Sequence, residues 1–423
     1  MKHLLPLALA ALLTLPNVAS ARSGETLELT DAQMEELVRR SYQYVAMFNV
    51  NNKIALDPGN PMSSGGYNRV FASTDLADHT LQVIARPNND TLYVAAMIDV
   101  TEEPIVLEMP AFDSTYVSLM VTGYDHYVNI PMSTTKGDFD EPANILFYSE
   151  RTPGYEGEPV EGVDMVMELT GDFVGAVFRV MPHAAEPERL ERNIAAMRSI
   201  DVEPLSEFLG QGDKEPHARS WGSPRGISRN LDLREDLARF PPYGSDFEIF
   251  EERFIEVMQF VANHTTFDPD DKLDAGLLAV LEPLGIEPGK AYDTDTAPEI
   301  DGEELRMVAQ RFATEQLAKM GDPEFVTENV TRLFQPKGGI AADLLAFQSV
   351  SGPIGQPTSE AVYPPVATGD DTPMNAMFDY EIVMAAEDMP PAQAVWSATL
   401  YDLENGFFIP NDRMKYSVGE NAG

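Results

Sequence analysis

Two hydrophobic periods divide the chain. Over residues 29–48, Met34, Leu37, Val38, Ser41, Val45 and Phe48 fall near one face behind Thr30 and Asp31, either of which can cap, and the spacing predicts a helix. Residues 51–68 are rich in Gly, Asn and Pro and read as loop. Between residues 81 and 180 the period drops to two. Val94, Ala96 and Ile98 alternate with Tyr93, Ala95 and Met97, and Ile105, Leu107 and Met109 with Val106 and Glu108. Val117, Leu119 and Val121 alternate with Tyr116, Ser118 and Met120, while Val174, Ala176, Phe178 and Val180 form one more such face. Short alternating runs broken by Gly, Pro and Asp predict a sandwich or barrel of antiparallel sheets, each with one wet face, rather than βαβ units.

Helical spacing returns in the middle. Residues 187–200 carry a proline in the first turn and a stripe of Leu190, Ile194 and Met197. Residues 205–245 are irregular and hold Trp221. Ser245 and Glu248 have capping-box spacing for a helix bearing Phe247, Phe250, Phe254, Val257, Met258 and Val261. Further helices fit 273–284, stopped by Gly285 and Pro288, and 303–320. After Gly338-Gly339 the chain turns β-like again, with Tyr380, Ile382 and Met384 alternating, then Trp396, Ala398 and Leu400. Asn405-Gly406 before Phe407-Phe408-Ile409 is a hairpin signal. The expected class is α+β and β-rich, with two jelly-roll-like or sandwich-like antiparallel β regions and a helical segment between them. The expected divisions are a signal peptide at 1–21, an N-terminal helix and loop at 22–60, a β-sandwich domain at 61–200, a mainly helical region at 201–335 and a second β domain at 336–423.

Charge and the first residues narrow the setting. Lys2, the apolar run over 4–15 and Ala19-Ser20-Ala21 have the layout of a cleaved signal peptide, so the expected location is periplasmic or secreted. No later run approaches the ~18 apolar residues of a membrane span, so no transmembrane anchor is expected in the mature chain. With 29 Lys and Arg against 69 Asp and Glu, the net charge is −40, which argues against nucleic acid as a partner and against docking on anionic lipid. The chain has no cysteine, which excludes disulfides, thiolate zinc sites, cysteine-ligated iron–sulfur clusters and thiol catalysis.

The run Arg86-Pro87-Asn88-Asn89-Asp90-Thr91-Leu92-Tyr93, with residues 105–110 and 116–120 after it, resembles the domain of unknown function 1254. Ala361-Val362-Tyr363-Pro364, residues 390–397, Thr399-Leu400-Tyr401-Asp402, residues 406–411 and Tyr416-Ser417-Val418-Gly419 resemble its usual companion, the domain of unknown function 1214. The resemblance implies exported or envelope-associated bacterial proteins, built on β-sandwich or jelly-roll-like domains with a helical insert. It carries over no catalytic residues. The family pattern continues beyond the YS-x-G segment with more strands, whereas this chain stops at Gly423, so the expectation is either a truncated sequence or an incomplete last sheet, which would expose an unpaired edge and apolar surface.

Candidate chemistry is sparse. Asn88, Asn89 and Asp90 ahead of Tyr93 can form a structural Asx-turn or the polar rim of a pocket. Tyr124-Asp125-His126-Tyr127 sets a carboxylate beside an imidazole, although neighbours in a strand point to opposite faces. His79, His126, His183, His217 and His264 show no metal-ligand spacing, and metal and cofactor both stay open. Ser133-Thr134-Thr135-Lys136 has the S-x-x-K form, but its S-D-N and K-T-G companions are missing; G-x-S-x-G, G-x-G-x-x-G and Walker A loops are missing too. The acidic run 268–274 departs from an EF-hand at Leu273 and Ala279 and reads as the capped start of a helix. Two functions remain. The first is an envelope or secreted binding and assembly protein, with a small-molecule or envelope ligand and a homo-oligomer both left open. The second is a periplasmic enzyme with a polar or metal-dependent site between sandwich and helices. Its pocket would draw on Asn88, Asn89, Asp90, Tyr93, Asp125 and His126, with Trp396 or Tyr401 lining the other side.

Overall fold

The computed structural model describes residues 26–82, 84–211, 219–222, 234–366, 368, 374–375, 377–402 and 405–419. The expected signal peptide and His217 lie outside these residues. The alternating runs become strands: β1 (Arg69–Ser73), β2 (Leu92–Asp99), β3 (Ile105–Met109), β4 (Val117–Thr122), β5 (Val128–Ser133), β6 (Ala143–Ser149), β7 (Met165–Leu169) and β8 (Phe173–Val180). Two short strands follow, β9 (Asp201–Pro204) and β10 (Arg219–Gly222). They form a six-stranded sheet in the order β10-β1-β2-β8-β4-β5 and a four-stranded sheet in the order β7-β6-β3-β9. Pairing is antiparallel in the interior of both sheets, but the edge pairs β1–β10 and β6–β7 are parallel, a departure from the antiparallel expectation.

The faces of the two sheets meet as the alternation predicts. Val94, Ala96 and Ile98 of β2 and Val174, Ala176, Phe178 and Val180 of β8 pack against Ile105 and Leu107 of β3 and Ile145 and Phe147 of β6. The expectation of a wet outer face fails for the larger sheet: β2 and β8 are buried at every position. Helices cover that face. Among the described residues the helices are α1 (Asp31–Leu56), α2 (Pro187–Ser199), α3 (Leu205–Phe208), α4 (Arg234–Arg239), α5 (Asp246–Glu248), α6 (Phe254–Asn263), α7 (Lys272–Leu281), α8 (Gly302–Ala318), α9 (Pro323–Asn329) and α10 (Ala342–Ser351). Of these, α2 instead packs Met197 into the sandwich interior, and α3 packs Leu205 and Phe208 on the four-stranded sheet near Val106 and Leu146. Ala95, Met97 and Phe173 pack into the core around Phe48 of α1 and Val257 of α6, while Tyr93, Met120 and Val177 pack with Leu344, Leu345 and Phe347 of α10. A strand covered on both sides needs apolar residues at both parities, and these strands have them.

Local chemistry sets the helix ends. Thr30 caps α1 with Gln33 closing the box, Ser245 and Glu248 do the same for α5, and Asp271 caps α7. α1 runs on through Asn51 and Asn52, which were expected in a loop. Their buried amides bond carbonyl oxygens, Asn52 Nδ2 donating to Phe48 O at 2.9 Å, so the polar residues do not break the helix. Past Gly338-Gly339 the expected β pattern gives way first to α10, and no strand spans 380–384. The α+β class holds. Among the described residues the C-terminal β region is a small antiparallel ladder of β11 (Ser397–Thr399) on β12 (Ser417–Gly419), with a bridge between Tyr401 and Phe408. Gly406 takes φ 71° at the Asn-Gly turn, the conformation that glycine suits. Among the described residues no helix is long and apolar enough to cross a membrane.

Candidate functional site

One row of the six-stranded sheet is polar. Tyr93 on β2 stands opposite Arg179 on β8, Arg179 opposite Ser118 on β4, and Ser118 opposite Ser133 on β5. Because side chains alternate, this row lies on the face turned away from the sandwich interior. Arg179 is only 8% exposed. Among the described residues no carboxylate reaches it as an ion pair, and its one hydrogen bond runs from Nη1 to Tyr363 Oη at 3.1 Å. The guanidinium carbon also sits 6.0 Å from the centre of the Tyr363 ring, within cation–π range. A buried charge without an opposite charge costs several kcal/mol, so Arg179 is an unbalanced element of the fold.

A covering segment over 353–363 locks onto this row. Tyr116 Oη donates to Gln356 Oε1 at 2.7 Å, Gln356 Nε2 donates to Ser118 Oγ at 2.5 Å, and Ser118 Oγ lies 3.2 Å from Tyr116 Oη, which closes a ring of bonds. Glu360 accepts from Ser133 Oγ at 2.6 Å and Thr135 Oγ1 at 2.7 Å. Tyr363 Oη accepts from both Arg179 Nη1 and Gln356 N, so its acceptor capacity is used and its own proton finds no acceptor among the described residues. Tyr93 Oη accepts from Asn88 N at 3.2 Å, and its proton is likewise unclaimed among the described residues. Burial raises the proton affinity of Tyr93 and Tyr116, against a lowering pull from Arg179, so both phenols stay protonated at neutral pH. Around Arg179 the site therefore presents donors.

The Arg86–Asp90 run supports this arrangement from the side. Asn88 Oδ1 accepts from the backbone N–H groups of Asp90 and Thr91, each at 2.9 Å, which makes the Asx-turn, and Asn89 Nδ2 donates to Ala77 O. Ser397 Oγ donates to Asp90 Oδ2 at 2.5 Å. Tyr401 Oη donates to Pro87 O at 2.7 Å, and its ring stacks on Phe408. Arg86 N donates to Gly406 O at 2.7 Å, while its guanidinium bonds Ser351 O at the end of α10. Burial raises Asp90, with the hydroxyls of Ser397 and Ser417 pulling it back down. Trp396 is half-buried ahead of β11, and its indole makes no hydrogen bond among the described residues.

Asp125 and His126 stand in a different place. His126 is fully buried with φ 66°, its Nε2 2.7 Å from Pro353 O and its Nδ1 2.8 Å from Ser349 Oγ. A carbonyl only accepts, so the neutral ring carries its proton on Nε2. Burial pushes its pKa down to about 4, against a raising effect of the Pro353 carbonyl. It bolts the β4–β5 corner to α10. Asp125 turns the other way: Oδ1 accepts from Tyr127 N at 3.3 Å, and burial pushes its pKa up to about 6, opposed by Thr170 and Lys337. The structure thus gathers Asn88, Asp90, Tyr93 and Tyr401 near Arg179, and leaves Asp125 and His126 apart from them. Among the described residues no group of three or more His, Asp or Glu is placed to hold a metal ion.

Arg179, Tyr116, Gln356 and Tyr363 have no part in the sequence-based pocket. Arg179 did leave a signal, an arginine inside the otherwise apolar strand 173–180, at the parity opposite the noted face. Residues 67–204 match a family described as a protein of unknown function, DUF1254, and residues 360–423 match a second, DUF1214, in the order that the motifs imply. The polar row lies in the first match, and Glu360, Tyr363, Ser397 and Tyr401 lie in the second. No curated protein matches the chain. The crystal structure of the VPA0106 protein from Vibrio parahaemolyticus is similar at 19% identity and a TM-score of 0.54, over 91% of this chain and 84% of that one, which is a likeness of fold. A putative uncharacterized protein from Burkholderia cenocepacia aligns over 44% of this chain and 51% of its own, at 15% identity and a TM-score of 0.23.

Proposed function

We propose that this chain, which joins the 1254 and 1214 domains of unknown function, is an exported binding protein that captures a small anionic ligand where the two domains meet. One observation carries the reading: Arg179 is held on a central strand, nine-tenths buried, with no carboxylate partner among the described residues. A site that keeps such a charge and surrounds it with phenol donors is complementary to a negative group. Tyr93 and Tyr116 hold their protons at neutral pH, which suits recognition rather than proton transfer. Export rests on Lys2, the apolar run 4–15 and Ala19-Ser20-Ala21.

The test is thermal unfolding of the full chain and its Arg179→Gln variant across titrations of acetate, phosphate and sulfate at constant ionic strength. At least one anion is expected to raise the midpoint of the native chain saturably and to leave the variant unmoved. Equal responses in both proteins, or none in either, would remove the reading. N-terminal sequencing of protein recovered outside the cytoplasm should begin at Arg22; retention inside the cell with Met1 intact would sink the export part alone.

A further inference from the structure

Resting on the anion-site reading above, we infer that the group recognised at Arg179 is a single carboxylate on a monoanionic small molecule, rather than a phosphate or a polyanion. The first ground is shape. Nη1 is committed to Tyr363, which leaves the edge formed by Nε and Nη2 without a hydrogen bond among the described residues. That edge offers parallel N–H groups in one plane, the geometry that meets both oxygens of a planar carboxylate. The free protons of Tyr93 and Tyr363 lie on the same side chains that touch or oppose Arg179, so they supply further donors for those oxygens.

The second ground is charge. Arg179 contributes one positive charge to the site. Arg86, the nearby second cation, is turned to the carbonyl of Ser351 and lies in the field of Asp402. Two carboxylates flank the row: Asp90 acts electrostatically on Tyr93 and Tyr401, and Glu360 acts on Tyr116. A monocarboxylate neutralises Arg179 and stops there. A phosphate dianion adds a second negative charge between Asp90 and Glu360 with no cation left to meet it, and like charges in a poorly solvated site repel strongly. The net charge of −40 adds a long-range field that disfavours the approach of polyanions most of all.

The experiment is titration calorimetry of the full chain near neutral pH and at matched ionic strength. The probes are acetate and benzoate as monocarboxylates, malonate as a dicarboxylate, and inorganic phosphate and sulfate. A monocarboxylate is expected to bind at least about tenfold more tightly than malonate, phosphate or sulfate. Arg179→Gln should abolish that binding, and Arg179→Lys, which keeps the charge but loses the planar fork, should weaken it about tenfold or more. Because a change at a buried arginine can disturb folding, Tyr363→Phe serves as the second variant: it removes one hydroxyl from an exposed residue and should weaken monocarboxylate binding severalfold with an unchanged circular dichroism spectrum. Arg179-dependent binding of phosphate, sulfate or malonate as tight as that of acetate and benzoate would overturn the monocarboxylate inference while leaving an anion site. Arg179-independent binding, or none of any probe, would overturn both.

Discussion

Ser397 donates to the Asp90 carboxylate at 2.5 Å, a bond between residues 307 apart in the chain. It fastens β11 to the turn that launches β2, and so ties the C-terminal ladder to the polar row. Asp90→Ala removes the acceptor and leaves the serine hydroxyl without it. The expected loss is about 1–3 kcal/mol in urea unfolding, with faster proteolytic nicking within 377–402. Unchanged nicking and an unchanged midpoint would show that the ladder is held by other contacts.

Asp125 and His126 have opposite pH signatures. Folded Asp125 keeps its proton to about 6 against an ordinary 3.8, so the folded state binds the extra proton in that window and stability falls as pH rises through it. Folded His126 titrates near 4 against an ordinary 6.5, so the unfolded chain binds the extra proton and stability falls as pH drops from 6.5 toward 4. Each shift is worth about 3 kcal/mol at ~1.4 kcal/mol per pKa unit, and the two nearly cancel. Relative to the native chain, Asp125→Asn should therefore gain stability steadily between pH 4 and 6, and His126→Gln should show a difference of opposite slope between 4 and 6.5. Urea midpoints measured against pH check this; parallel profiles for all three proteins would rule it out.

Gly355 sits in the covering segment, and a Cβ there would fall inside van der Waals contact of the Phe334 ring. Phe334 in turn meets Tyr363 edge-on at 5.9 Å. Gly355→Ala should push Gln356 and Tyr363 off the polar row, lowering anion affinity about tenfold with a stability loss of only ~1–3 kcal/mol. Calorimetry and urea unfolding on the same preparation separate the two effects, and full affinity in the variant would show that the segment does not position Tyr363.

Ser245 caps α5 through a box completed by Glu248. Ser245→Ala should cost about 1 kcal/mol and leave anion binding intact, since the cap lies in the helical layer. Loss of binding in this variant would mean that the helices and the polar row are coupled.

The parts of the fold that sequence revealed are those where the signal is local. Thr30, Ser245 and Asp271 mark helix starts by side chains that bond their own backbone, and Asn405-Gly406 marks a turn by a glycine dihedral. α10 was hidden because Leu344, Leu345, Ala346, Phe347 and Gln348 are all buried, so the helix has no polar stripe to show its period. The site was hidden by the same cause. A sheet assumed to have a wet face makes Arg179 ordinary, whereas the covering segment over 353–363, with Tyr363 on the guanidinium, makes it a buried charge. Asn88 and Asp90 were visible as turn formers, and the turn is what they form; their distant partners Ser397 and Tyr401 depend on chain closure that no short window contains.

The polar row and its covering segment also bear on when the proposed binding site takes shape as the chain folds. The residues around Arg179 come from stretches near 90, 117, 179, 360 and 400, so no contiguous fragment holds them all. Closing such widely separated loops is slow, and the early sandwich can form without the last of them. Ligand capture should therefore be the final property to appear during refolding, lagging the recovery of sheet signal, and it offers an assay for completed assembly that spectroscopy of the strands would miss.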